Sequence, residues 1–227
     1  MARASRNNPL ALAVLVCLLE APMHPYEIAQ TLRSRAKEES VRLNYGSLYS
    51  VVESLERRGL IRARETIREG RRPERTVYEI TDTGTREATE WLADLVSVPL
   101  KEYPQFMAAL SFLPALPPEE AVAGLRQRIV ALEVHLLRMR ATARAASDGG
   151  FPRLFGIEGE YELCLLEAEL FFVRKLVEEV EGGSFDGLAI WQGMHADDET
   201  RARLVAELDD LGKRFVREHW GLPAPDD

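Results

Sequence analysis

The chain has 227 residues, 46% of them hydrophobic and 29% charged, with a formal net charge of −8. That is enough for one large domain or two modest ones with a real core, and no apolar run approaches the roughly 18 residues a membrane-spanning helix needs. The charge is uneven: residues 1–87 hold 15 Lys and Arg against 12 Asp and Glu, and the remaining 140 hold 14 against 25, which suggests a slightly basic front unit and an acidic back unit with different partners.

The N-terminus MARASRNNP is basic and precedes an apolar run, Leu10 to Leu19. Glu20, Pro22 and His24 follow in place of a small-residue cleavage site, so a cytoplasmic chain is expected. Arg3 and Arg6 could form a short basic arm. Asn8 before Pro9 is an N-cap and first-turn pair, and it predicts a buried, nearly all-apolar helix ending near Ala21-Pro22. MHPYEIAQTLRSRA predicts a second helix from about Pro25, with Ile28, Ala29 and Leu32 inward.

After the connector KEESVRLN, the stretch NYGSLYSVVESLERRGLI predicts a third helix from about Tyr45 to Arg58, stopped by Gly59. Leu48, Val52 and Leu55 form its apolar face. The opposite face carries Gly46, Ser50, Glu53 and Arg57, with Ser47 and Tyr49 on its flanks, so its first turn is nearly bare. In IRARETIREGRRPERTVYEIT, Ile61 and Ala63 alternate with Arg62 and Arg64, and Tyr78 and Ile80 with Val77 and Glu79. Gly70 and Pro73 mark a turn between two short strands. Three helices and a β-hairpin predict a winged helix-turn-helix over residues 1–87.

The back half, 88–227, reads as all helical. TDTGTREATEWLADLVS places Trp91, Leu92 and Leu95 on one side. SVPLKEYPQF and LPALPPEE are proline-bearing joints. A long helix is predicted from about Pro118 to Ala146, where Leu125, Ile129, Leu132, Leu136 and Met139 make a coiled-coil-like seam. SDGGFPRLFGIEG and GGSFDG break the pattern on either side of another helix, GEYELCLLEAELFFVRKLVEEVEGG. The last helix aligns Leu204, Leu208, Leu211 and Phe215. The apolar excess on these two helices predicts dimerisation through Leu166, Phe171, Phe172, Leu176, Leu204, Leu208, Leu211 and Phe215. Cys17 and Cys164 both lie in apolar helical stretches and read as buried, reduced thiols.

A helix that reads DNA must reach base edges at the floor of the major groove, and Gly46, Ser47 and Ser50 permit that approach. Serine hydroxyls can bond phosphates or bases, and Tyr45 and Tyr49 lie where a phenol can reach a phosphate. Glu53 is read as solvated, although it could accept from a cytosine amino group. Arg68, Arg71, Arg72 and Arg75 on the hairpin suit phosphates or a narrow minor groove.

Three segments in order, PYEIAQ at 25–30, GSLYSVVESLERRGLI at 46–61 and RRPERTVYEITDTG at 71–84, resemble the PadR family of transcriptional regulators over about residues 8–95. The acidic remainder resembles, in pattern only, the longer subfamily with a virulence-activator-like C-terminal domain. The resemblance implies a homodimeric regulator, more often a repressor than an activator, acting on a double-stranded operator, and some relatives respond to small aromatic compounds. His24-Pro25 stands where many relatives have a glycine. The DNA-binding set expected is Tyr26, Tyr45, Gly46, Ser47, Tyr49, Ser50, Arg57, Arg68, Arg71, Arg72 and Arg75.

No glycine-rich phosphate loop, HExxH or nucleophile elbow is present, so neither an enzyme nor a cofactor is expected. His195-Ala-Asp-Asp-Glu reads as an acidic helix start rather than a metal cluster. The aromatic residues of the linker and back half, including Trp91, Phe106, Phe171, Phe172 and Trp191, read mainly as core or dimer interface; an effector pocket would need such a lining. The alternative function is a winged helix used for protein contacts alone, which the arginine-rich hairpin disfavours.

Overall fold

Local sequence signals place the first three helices. In the computed structural model, which describes residues 8–67 and 75–220, α1 spans Pro9–Glu20, and the Asn8 side chain accepts the Leu10 N–H at 3.1 Å. Helix α2, Pro25–Ser34, begins at a reciprocal cap. His24 Nδ1 accepts the Tyr26 N–H (3.1 Å), and the Glu27 carboxylate accepts the His24 N–H (2.7 Å). Helix α3, Tyr45–Arg57, starts at Asn44, whose side chain accepts the Ser47 N–H at 2.7 Å. It ends in a Schellman turn: Gly59 has φ +68°, Gly59 N–H donates to Glu56 O, and Leu60 N–H donates to Leu55 O. That left-handed backbone favours glycine, the residue at which the sequence stops the helix.

Strands β1, Ile61–Ile67, and β2, Arg75–Ile80, pair antiparallel, with Ile61 opposite Ile80 and Ala63 opposite Tyr78. The register shifts between Ala63 and Glu65, where Arg64 is the extra residue of a bulge. Met23 forms a bridge with Tyr78 through two 3.0 Å backbone bonds, tying the start of α2 to the hairpin.

Helix α4, Asp82–Ser97, is capped by Thr81, whose hydroxyl accepts the Gly84 N–H at 3.0 Å and lies 2.8 Å from the Gly59 carbonyl. Val14, Leu15, Ile28, Leu48, Leu55, Ile61 and Trp91 are buried in one cluster. Each such side chain contributes about 1.5–3 kcal/mol by leaving water. Ala88 and Trp91 of α4 belong to this core, and the chain forms two compact units, Met1–Glu102 and Tyr103–Asp227.

In the second unit, α5 (Gln105–Ser111) and a 3₁₀ turn at Leu113–Ala115 fold within the joints that sequence reads as proline-broken. Helices α6, Pro118–Asp148, and α7, Ile157–Glu181, form an antiparallel hairpin around two apolar clusters. One joins Ala121 and Leu125 to Val173, Val177 and Val180; the other joins Leu132 and Leu136 to Leu170. Ion pairs line both flanks of the seam. On one flank Arg126 meets Glu181, Glu133 meets Arg174 and Arg140 meets Glu167. On the other, Arg128 meets Glu169, and His135 Nε2 lies 3.5 Å from a Glu162 oxygen.

Helix α8, Leu188–Gly193, supplies Trp191, whose indole N–H donates to Leu116 O at 2.8 Å. Helix α9, Asp198–Trp220, starts at Asp197, whose carboxylate accepts from Thr200 N–H (2.7 Å) and Oγ1 (2.9 Å). These bonds hold the Asp197 carboxyl below the usual range, so the HADDE motif is a helix start. Cys17 is buried, and burial pushes its thiol up; Cys164, expected inside, is exposed, because it falls on the outer side of α7.

Candidate nucleic-acid interface

Helix α3 is held by its apolar face, with Leu48, Val51, Val52 and Leu55 buried. That leaves Tyr45, Gly46, Ser47, Tyr49, Ser50, Glu53 and Arg57 exposed on the other side. A shallow groove of about 590 Å³ runs along one flank of this bare face. Gly46, Ser47, Ser50 and Ser54 line it from α3, and Asn8 and Ala11 from α1. Val51, Leu55 and Arg58 complete the lining. The openness of the α3 side follows from residue type: a Cβ on Gly46 would meet nothing closer than Asn44 Oδ1 at 3.7 Å. Ser50 Oγ donates to Gly46 O at 3.1 Å, so this hydroxyl must rotate to serve an incoming acceptor.

The other flank is aromatic. Tyr26, Tyr45 and Tyr49 are 42%, 40% and 44% exposed, unusually open for such large rings. Tyr26 and Tyr45 stack at 6.2 Å with an interplanar angle of 9°, and Tyr49 stands edge-on to His24 at 6.5 Å. Arg33 lies over the Tyr45 ring, its Cζ 4.8 Å from the centroid, and donates to the Tyr45 hydroxyl at 2.5 Å. Arg75 is exposed at the start of β2. Burial, and then the charge of Arg75, lower the His24 pKa against the opposing pull of Glu27. Behind α3, burial and the charges of Glu56 and Glu53 raise the Tyr78 phenol, which stays protonated.

The expected residues therefore fall into two groups. Gly46, Ser47 and Ser50 share the groove, while Tyr26 and Tyr45 share the stack, with Tyr49 beside it and Arg57 farther along α3. Arg68, Arg71 and Arg72 lie outside the described residues. Asn8, His24, Arg33, Ser54 and Arg58 also line this surface without having been expected there. The spacing of Tyr26 and Arg33, seven apart on α2 and so on one face, is the signal that could have found Arg33. Arg58 is paired with Glu87 of α4 at 3.5 Å.

For the dimerisation set the structure makes a division. Leu176 is buried in one apolar cluster of the chain's own core, and Leu166 packs half-buried against the other, beside Leu132, Leu136 and Leu170. Phe171 and Phe172 are 71% and 47% exposed, and with Tyr161 and Leu165 they make an apolar stripe on the outer side of α7. On α9, Leu204 and Leu208 are half-buried, and Leu211 and Phe215 are exposed. Among the described residues, no group of His, Cys, Asp and Glu could hold a metal ion, and no helix is long and apolar enough to cross a membrane.

Three helices, a two-stranded hairpin and an outward-facing third helix define a winged helix-turn-helix. The profile of the transcriptional regulator PadR-like family matches residues 14–90, so the chain carries a PadR-like domain. The likeness of fold to solved PadR structures extends beyond that domain. Bacillus subtilis PadR in complex with operator DNA superposes with a TM-score of 0.60 at 18% identity, covering 75% of this chain and 98% of that one. The Vibrio cholerae virulence activator AphA gives 0.60 at 16% identity, covering 76% and 98%. Bacillus subtilis PadR in complex with p-coumaric acid gives 0.58 at 16%, covering 76% and 95%. No curated protein matches the sequence.

Proposed function

We propose that this chain is a DNA-binding transcriptional regulator, acting as a homodimeric repressor on a pseudo-palindromic operator. The observation that carries the reading is the bare first turn of α3, Gly46-Ser47 with Ser50, exposed between a small-residue groove and a row of exposed tyrosines. A helix packed only for stability has no use for that arrangement, whereas a helix entering a major groove needs it. In support, the PadR-like match spans this helix and the hairpin, and a protein of the same fold has been solved on operator DNA.

The exposed stripe of Tyr161, Leu165, Phe171 and Phe172 supports dimerisation, since contiguous apolar surface of this kind marks an interaction site. A two-fold dimer presents two copies of α3 to major grooves about 34 Å, or a multiple of that, apart. Release by a small aromatic acid is the effector reading, supported by the same-fold structure that holds p-coumaric acid. Genomic footprinting tests the proposal. Protection of paired, inverted half-sites is the expected result, and the bound promoters name the pathway. Protection of isolated asymmetric half-sites at full affinity contradicts the dimeric reading. Failure to shift any genomic fragment favours a protein-contact module.

A further inference from the structure

We propose that Arg33 is a phosphate-binding residue of this surface and that Glu38 occupies it in the free protein where a DNA phosphate sits in the complex. The proposal rests on the DNA-binding reading above and adds to it a residue outside the reading helix.

Arg33 joins α2 to α3 by polar and aromatic contacts. Its guanidinium lies over the Tyr45 ring (4.8 Å), its Nη1 donates to the Tyr45 hydroxyl (2.5 Å), and its Nε donates to Glu38 Oε1 (3.0 Å). The Tyr45 ring in turn stacks on Tyr26. Tyr26 and Arg33 lie two turns apart on one side of α2, so the three side chains make a continuous strip beside the N-terminus of α3.

Each of these interactions prepares the strip for an anion. The ring contact and the bond to the Tyr45 hydroxyl restrain the guanidinium, whose fork matches the oxygens of a phosphate. A hydroxyl that accepts a bond from a cation is polarised and donates more strongly, which readies the Tyr45 proton for a second phosphate oxygen. The present anion on the fork is the Glu38 carboxylate, on the exposed turn after α2. Both partners are open to water, with side-chain exposures of 39% and 45%. Such a pair is weak and exchanges readily, whereas a duplex phosphate arriving on Arg33 also releases condensed counterions. Glu38 therefore acts as a competitor that lowers affinity for DNA in general.

The test uses the full-length chain and a fluorescein-labelled mixed-sequence duplex, titrated by anisotropy across a salt series. Glu38→Gln should tighten binding about two- to five-fold per subunit, the scale of an exposed ion pair. The control is Glu39→Gln, which changes the charge equally at an exposed neighbour; its effect should be smaller. Arg33→Gln should weaken binding and lower the log–log salt slope by about 0.9 for each phosphate no longer neutralised. In that background Glu38→Gln should add no more than Glu39→Gln does.

Equal tightening by Glu38→Gln and Glu39→Gln would overturn the proposal, as would tightening by Glu38→Gln that survives in Arg33→Gln. Weaker binding with a lower melting temperature in Glu38→Gln alone would also overturn it, by making the pair a structural brace. A wild-type chain that binds neither this duplex nor any genomic fragment would remove the DNA-binding reading itself, which sets that failure apart from the others.

Discussion

Gly46→Ala should make the protein more stable and a poorer DNA binder, two effects of opposite sign from one methyl group. Gly46 is the second residue of α3, and the new Cβ would meet only Asn44 Oδ1, at an ordinary 3.7 Å. The cap from Asn44 to Ser47 N–H therefore survives. Replacing glycine in a helix at a compatible position stabilises by about 0.5–1 kcal/mol, chiefly by restricting the unfolded chain. For a chain of this size that raises the melting temperature by about 1–4 °C. The same methyl narrows the groove lined by Gly46, Ser47 and Ser50, where a base edge must come closest. Overfilling a close-packed site costs about 1–3 kcal/mol, or roughly five-fold to over a hundred-fold in affinity per subunit. Differential scanning fluorimetry and anisotropy on a footprinted operator measure the two effects. A raised melting temperature with unchanged affinity would refute the placement of this turn at the groove floor.

Gly84→Ala should be far more damaging. Its Cβ would lie 2.0 Å from Leu60 O and 2.8 Å from Ile80 Cγ1, so α4 must move off the hairpin, and denaturant unfolding should record a loss of at least about 3 kcal/mol. Tyr49→Phe keeps a ring against His24 and deletes one exposed hydroxyl, so affinity should fall alike for specific and random DNA with the melting temperature unchanged. His24 caps α2 with an unprotonated Nδ1, and its pKa is lowered in the fold by burial first. The unfolded chain then takes up the proton first, so this contribution to stability is full above the usual imidazole value of about 6.5 and is lost as pH falls through the lower folded value. A pH series of melts on wild type and His24→Asn should show that slope only in wild type. Phe171→Asp should convert a dimer to monomers by light scattering, while the buried Val173 beside it keeps the hairpin folded.

What was legible in the sequence was what local chemistry decides. Asn8-Pro9 and Gly59 mark helix ends through bonds to their own neighbours, and the four-three spacing of Leu125 to Met139 marks the α6 seam. The bare front of α3 was visible for the same reason. Contacts between elements distant in sequence were not. Arg33 meets Tyr45 across twelve residues, Tyr26 meets Tyr45 across nineteen, and Trp191 meets the Leu116 carbonyl across seventy-five. Periodicity also cannot tell an apolar stripe facing the chain's own core from one facing outward, which is why Leu176 and Phe171 read alike although the fold buries the first and exposes the second. Nor does periodicity show that α4, which begins after the hairpin, returns Trp91 to the front core.

The ion pairs flanking the α6–α7 seam act as a key for alignment. Arg126, Glu133 and Arg140 are spaced by sevens, and so are their partners Glu181, Arg174 and Glu167. An apolar heptad seam fits nearly as well when one helix slides along the other by a whole repeat, about 10.5 Å. The middle pair has its signs reversed, and that breaks the degeneracy. One repeat of slippage would set Arg126 against Arg174 and Glu133 against Glu167 in one direction, or Glu133 against Glu181 and Arg140 against Arg174 in the other. The charges add little to the stability of the correct hairpin, being open to water, yet they penalise both misaligned hairpins. Reversing the middle pair alone, with Glu133→Arg and Arg174→Glu together, would keep every native attraction and erase the code.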